Sequence, residues 1–387
     1  MKFVTKLIAT CILLILFGCG SSGDDSHSTI SDSDVGSNPP PTTPGSEDDE
    51  PQRVAQGFIT YQGERLYLNG FNIAWFDFAN DVGSGLAEPE LRKALQDVVD
   101  AGGNTLRWWM HTDGAYTPAW ENVDGVRLVS GPGGTFIEDL ARALDIAAEY
   151  GVYIVPSLWS FDMLRANSYR NPPTADNYRL LTEDAVLQSY LDQALSPMVQ
   201  ALNGHPQLVA WELFNEPENM TETWFEADGG RRPTLADLQR VQGKMAATIH
   251  RVAQSQDQVA LVTTGSKSLG KYNSDAAGGE NLYRDDRLIA AADNDALAVL
   301  DFYQAHYYNN EGKQGAWSPF HHSADHWGLD KPIVIGEFYI EDLVLMGDPV
   351  LASELCKRLY DLGYAGGWGW QWNQWPDKVA ACVRNVP

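Results

Sequence analysis

The chain has 387 residues, with 52 acidic side chains against 27 basic ones and a formal net charge of −25. Such a surface repels nucleic acid, and no Lys/Arg cluster offsets it, so a polyanionic partner is disfavoured. Thirteen Trp and sixteen Tyr exceed ordinary packing needs and suit a cleft that stacks neutral rings, as sugar-binding sites do.

Met1 to Gly18 places Lys2 and Lys6 ahead of the apolar run Leu7 to Phe17, the layout of an export signal. That run is too short to persist as a spanning helix. It ends in Leu16-Phe17-Gly18-Cys19, which resembles a bacterial lipobox and implies cleavage before Cys19 and lipidation of its thiol. Loss of the two signal lysines takes the mature charge to −27. Gly20 and Ser21 carry no Asp retention signal, so the resemblance implies the outer membrane of a Gram-negative cell, facing the periplasm or the exterior. Residues 19–52 read as a tether. From position 20 they hold eight acidic side chains, no Lys or Arg, and mainly Ser, Gly, Pro and Thr, too little apolar surface to offset ordering.

Residues 53–387 are long enough for one α/β barrel with extended loops. Phe58 to Tyr61 and Arg65 to Leu68, around Gln62-Gly63, predict an opening hairpin. Short apolar runs then alternate with helical stretches. The predicted strands are Gly70–Ala74, Asn104–Trp109, Val152–Leu158, Leu208–Phe214, Val259–Thr263, Asp301–His306, Pro332–Glu337 and Gly366–Gln371. Between them, helical periodicity marks Leu91–Ala101, Phe136–Tyr150, Ala185–Leu202, Leu235–Ala253 and Val350–Leu362. Pro197 is expected to kink or end its helix. Eight such units predict a (β/α)8 TIM barrel with a short N-terminal β-hairpin. A doubly wound sheet would open on a Gly-rich phosphate turn, which is missing after the first strand.

In a barrel the chemistry sits where the strands end. The fourth predicted strand runs into Asn215-Glu216-Pro217 and the seventh into Gly336-Glu337-Phe338. A carboxylate at the end of an apolar strand is costly without partners. Two of them across a barrel mouth can flank one glycosidic bond, one as protonated acid and one as ionised nucleophile. These two motifs resemble the acid/base and nucleophile signatures of glycoside hydrolase family 5. Several segments are similar to the β-mannanases of that family found in molluscs and some bacteria. They are Asn72-Ile73-Ala74-Trp75, Arg107-Trp108-Trp109-Met110-His111, Phe302-Tyr303-Gln304-Ala305-His306, Ser318-Pro319-Phe320-His321-His322-Ser323 and Lys331-Pro332-Ile333-Val334. Trp108 to His111 and Phe76-Asp77-Phe78 depart from the mollusc pattern.

The resemblance implies a retaining endo-β-1,4-mannanase acting on mannan, glucomannan or galactomannan, with Glu216 as acid/base and Glu337 as nucleophile. It also implies supporting roles for four residues. Arg107 would hold Glu337 ionised, Asn215 would meet the sugar 2-hydroxyl, His306 would orient Glu216, and Tyr308 would donate to Glu337. Trp370 is expected to floor the subsite where the bond breaks, in preference to Trp372. Trp109, His111, Trp159, Trp75 and Trp317 are further candidate sugar contacts. An endo-β-1,4-glucanase with the same machinery remains open, since mannose and glucose differ only at the 2-hydroxyl. A non-catalytic polysaccharide-binding lipoprotein remains open too. No cofactor or metal is expected. His321, His322 and His326 lack both an H-E-x-x-H pattern and a nearby Cys, and Gly265-Ser266 lacks the spacing of a nucleophile elbow. Cys356 and Cys382 fall in the last two predicted helices, and an oxidising compartment allows a disulfide between them. No oligomerisation signal is evident, so a monomer is expected.

Overall fold

The computed structural model of the chain describes residues 57–309, 313 and 315–387. The expected signal, Cys19 and the tether therefore lie outside the described residues. Eight parallel strands close into a barrel in sequential order. They are β1 (Leu68–Ala74), β2 (Thr105–Thr112), β3 (Tyr153–Ser160), β4 (Trp211–Asn215), β5 (Val262–Ser266), β6 (Tyr303–Tyr307), β7 (Ile333–Tyr339) and β8 (Gly366–Trp370). The opening hairpin, Ile59–Tyr61 with Glu64–Leu66, packs at the barrel's N-terminal end. There Ile59 joins Leu68, Val155, Val209, Phe302, Val334 and Trp368 in one apolar plug, and the Tyr61 hydroxyl caps the carbonyls of Pro206 and Leu208 at 3.0 Å each. The arrangement closes one end of the barrel and leaves the other for chemistry.

The helices are α1 (Glu88–Asp100), α2 (Phe136–Tyr150), α3 (Thr174–Thr182), α4 (Asp184–Tyr190), α5 (Ser196–Leu202), α6 (Leu235–Ser255), α7 (Asp285–Ala291), α8 (Leu355–Asp361) and α9 (Pro376–Arg384). None among the described residues is long and apolar enough to cross a membrane. Their apolar stripes pack on the outer face of the strands in one continuous core. Helix α6 starts where its sequence says it should. The Thr234 hydroxyl accepts the Asp237 N–H and the Asp237 carboxylate accepts the Thr234 N–H, a complete capping box.

Several expectations shift. Pro197 does not end its helix: α4 passes through a π-helical turn, Leu191–Leu195, into α5. That widened turn is where the ladder adapts to a residue without an N–H. The fifth strand begins three residues later than expected, and Val259 is exposed. Val350 belongs to a small hairpin, Leu343–Leu345 with Asp348–Val350, rather than to the helix that follows. A second hairpin, Ala119–Val123 with Val126–Gly131, was not anticipated. Between β6 and β7 the described residues hold only short 3-10 turns, including Gly315–Trp317, where a barrel helix would stand.

Cys356 on α8 and Cys382 on α9 are bridged, 26 residues apart in sequence. A loop of that size restrains the unfolded chain by about 3 kcal/mol. Thermal scans of the Cys356→Ala/Cys382→Ala double variant are expected to show Tm lower by roughly 5 °C, with reductant lowering only the wild type. Equal melting of the two proteins in non-reducing buffer would refute the contribution.

Candidate active site

The strands reach the mouth through bulges that re-aim their last side chains. Between β6 and β7 the register passes from Ala305 opposite Ile335 to His306 opposite Glu337, so Gly336 is the extra residue. A Cβ there would lie 2.6 Å from the Gln304 amide nitrogen, which is why a glycine precedes Glu337. Between β4 and β5 the register passes from Glu212 opposite Thr263 to Asn215 opposite Gly265, turning Asn215 inward. Glu216 then adopts a left-handed backbone, with φ 44°, pinned by its N–H to the Gly265 carbonyl at 2.6 Å. A non-glycine residue in that region is strained and persists where its surroundings over-determine it.

The two motifs converge. A carboxylate oxygen of Glu216, one of Glu337 and a ring nitrogen of His306 all lie within 4.8 Å of one another. Carboxyl groups that close leave no room for a water between nucleophile and sugar, so the spacing fits a double displacement, not an inverting attack. Among the described residues these three could also converge on a metal ion, but His306 Nδ1 already sits 3.0 Å from Glu216 Oε1 and 3.5 Å from Glu337 Oε2. The Tyr308 hydroxyl donates to Glu337 Oε2 at 2.6 Å. Asn219 donates to Glu216 Oε2 at 2.7 Å.

Arg107, wholly buried, organises the floor. It donates to Glu337 Oε1 at 2.6 Å, Asn72 Oδ1 at 3.0 Å and Asn215 Oδ1 at 2.9 Å. Its other edge forms a fork with Glu212, Nε to Oε2 at 2.6 Å and Nη2 to Oε1 at 2.5 Å, and Ser157 adds a hydrogen bond to the same carboxylate. Asn72 in turn donates to the carbonyls of Gly336 and Trp368, tying β1 to β7 and β8. One amide hydrogen of Asn215 goes to Ser160.

The charges follow from these surroundings. Burial raises the Glu216 carboxyl to about 7, against the opposing pull of Lys267, Asn219 and Arg107. Burial also raises Glu337 above its ordinary value; Arg107 pulls it down as expected, but not enough to prevail. Arg107 and the Tyr308 hydrogen bond oppose the rise, but the Arg107 charge is shared with Glu212 and burial prevails. The asymmetry survives: Glu337 has a guanidinium in direct contact, whereas Glu216 has none. Burial lowers His306 to about 4, so its ring is neutral and acts by hydrogen bonding.

The expected aromatic residues divide. Trp370, Trp109 and Trp75 form a cluster at the mouth, with ring centroids 5.2 to 6.0 Å apart, extended by Phe78. The Trp109 ring lies 5.8 Å from the Arg107 guanidinium. Trp372 lies beyond the end of β8 at Trp370; it packs on Phe76 and donates to Asp97 of α1. Trp317 lines the cleft on the Glu216 side.

His111 and Trp159 do not reach the cleft. Both are buried against Tyr190 in the helix layer, and His111 bonds to Thr117 at 2.8 Å. A bulge in β2 between Trp109 and Thr112 breaks the alternation that would have turned His111 inward. His321 and His322 hold the backbone carbonyls of Asp348 and Gly315. Glu212, Asn219 and Gly265 at the site went unanticipated. A Glu inside an apolar strand, with one inward Arg available, was a usable signal for the first; the others had none.

Residues 62–342 match the family described as Cellulase (glycosyl hydrolase family 5). The chain is 32% identical over 331 residues to a mannan endo-1,4-beta-mannosidase of Mytilus edulis, covering 81% of this chain and 85% of that protein. A mannan endo-1,4-beta-mannosidase of Cryptopygus antarcticus is 30% identical over 82% of this chain and 83% of its own length. Among solved structures, the β-mannanase of the blue mussel Mytilus edulis superposes with a TM-score of 0.73 at 30% identity, over 86% of this chain and 94% of that one. The β-1,4-mannanase of the sea hare Aplysia kurodai gives 0.72 at 31% identity, over 86% and 95%.

Proposed function

The chain belongs to glycosyl hydrolase family 5, and from that premise we propose that it is a retaining endo-β-1,4-mannanase. The observation that carries the mechanism is the buried pair Glu216 and Glu337, within 4.8 Å and held in different company. Glu337, in contact with Arg107 and Tyr308, attacks the anomeric carbon as the carboxylate. Glu216, kept protonated by burial, gives its proton to the departing oxygen as the C–O bond breaks. The product is a glycosyl-enzyme ester on Glu337 and a free chain end. Glu216, now ionised, takes a proton from water as its oxygen attacks the same carbon, releasing the sugar with its original anomeric configuration and restoring Glu337. Neutral His306 steadies Glu216 through both steps, and the mouth tryptophans offer apolar faces to the ring being cleaved.

The mannan assignment rests on the relatives at about 30% identity, all of which act on mannan by name. Reducing-end release from galactomannan and glucomannan, with none from carboxymethyl-cellulose, is the expected result. Release only from the glucan would overturn the substrate and keep the mechanism. Proton NMR of early products should show the β-anomer first.

Two further outcomes follow from the geometry. Since Glu216 must carry its proton at the start, kcat/KM is expected to fall as pH rises through about 7. It should fall again at low pH as Glu337 is protonated. A profile flat to pH 9 would contradict the assignment of the acid. Gly265→Ala would place a Cβ 2.6 Å from Glu212 Oε1, 3.0 Å from His306 Nε2 and 3.1 Å from Arg107 Nη2. Displacing that floor should lower kcat about 10²-fold; a loss under twofold would show that the floor can yield.

We propose in addition that Cys19 carries a lipid that anchors the enzyme to the outer membrane, on the strength of the lipobox-like run before it. Detergent phase partition should place the wild type with the detergent and Cys19→Ser in water.

A further inference from the structure

The cleft is unequal about its two carboxyls. Trp109, with Trp75 and Trp370 beside it, stands by Arg107, which binds Glu337. On the Glu216 side opens a cavity of about 460 Å³, and one of its walls is Trp224. Trp224 is 58% exposed, yet its ring has partners at its edge and over its face. Its indole N–H donates to Glu222 Oε2 at 2.6 Å. The same carboxylate receives Lys267 at 2.6 Å, Lys271 at 2.8 Å and the Tyr272 hydroxyl. Burial pushes Glu222 up, but these three donors outweigh it and hold its carboxyl at about 2, so it stays ionised at any pH where the enzyme works. Phe161 and Phe225 brace the indole edge-on at 6.3 and 6.1 Å, and the Lys267 ammonium lies 4.9 Å from its centroid.

A large ring held out into solvent by a charged network does not fill space in a core. Beside a catalytic acid it offers what a pyranose takes up, a flat apolar face with hydrogen-bond donors at its edge. The acid touches the leaving oxygen, so the cavity beyond it receives the departing part of the chain. We propose that Trp224 is a binding platform for a sugar on the leaving-group side, and that Glu222 is the residue that positions it. The occupant is the reducing-end portion of a β-1,4-linked mannosyl chain, at least one unit beyond the bond that breaks. The proposal rests on Glu216 being the acid, since the acid defines that side.

The test uses mannopentaose labelled with 18O at its reducing end, digested by the wild type, Trp224→Ala, Trp224→Tyr and Glu222→Gln. Without the platform, productive binding relies on the other side of the cleft. Trp224→Ala should therefore raise KM about tenfold and move cleavage toward the reducing end, leaving the label in shorter fragments. Trp224→Tyr keeps a ring face and should restore most of the original pattern. Glu222→Gln should give an intermediate shift, because the ring is retained but loosened. An unchanged distribution of label overturns the proposal. So does a loss of kcat alone, which would mark a purely structural residue. If the wild type leaves mannopentaose intact, the mannanase reading has failed, and cellopentaose then tests the same shift separately.

Discussion

Glu337→Gln is expected to lower kcat on mannan by about 10⁴-fold or more while the protein folds normally. The amide has nearly the shape of the carboxylate and retains an oxygen for Tyr308 and Arg107, so the site keeps its form. It has no electron pair able to form a stable ester with the anomeric carbon. Arg107 still has Glu212 as a buried partner, so the guanidinium is not left unpaired. A melting temperature within a few degrees of the wild type should accompany the loss. Glu216→Gln provides the contrast. On an aryl mannoside with a good leaving group, the first step scarcely needs an acid, and the glycosyl-enzyme should accumulate because no base activates water. A burst of phenol followed by slow turnover would separate the two roles. If Glu337→Gln kept more than about one hundredth of the wild-type rate, the nucleophile would have to be sought elsewhere.

The second large effect belongs to Arg107. Arg107→Lys replaces a rigid fork that serves Glu212, Glu337, Asn72 and Asn215 with one compact ammonium that cannot reach all four. Breaking a buried pair leaves an uncompensated charge, and the expected cost is about 3–5 kcal/mol of stability. Activity should change in a diagnostic direction. Glu337 already titrates above its ordinary value because of burial, and Arg107 opposes that rise. Weakening the opposition raises Glu337 further, so the acid limb of kcat/KM moves to higher pH. Glu212→Gln should move it the other way, because the whole guanidinium charge then faces Glu337. Opposite displacements in the two variants are the expected result; shifts of the same sign would show that Glu212 does not divide the Arg107 charge.

How much of this was legible beforehand can be judged residue by residue. The barrel was, because alternating apolar runs and helical stripes admit few other closures. The carboxyls were, because Glu216 and Glu337 stand at the ends of apolar strands where ionisation is costly. The preference for Trp370 over Trp372 had no basis in the period of two, which puts both on one face; β8 ends at Trp370, and Trp372 lies beyond it. His111 failed because a bulge inserts one residue into β2 and reverses the alternation beyond it. Glu212 could not be read as the partner of Arg107, since they lie 105 residues apart and meet only across β3.

The sequence by itself therefore determined the order of strands and helices, the two carboxyls and the family to which they belong. Those depend on local periodicity and on residue types that few environments tolerate. The tertiary structure alone decided which side chains share the floor, which tryptophans face the cleft, and whether Glu337 titrates above or below its ordinary value. Each depends on the balance between burial and partners brought from distant strands. That balance is set by the closure of the barrel and the bulges at its mouth, and no run of neighbouring residues encodes it.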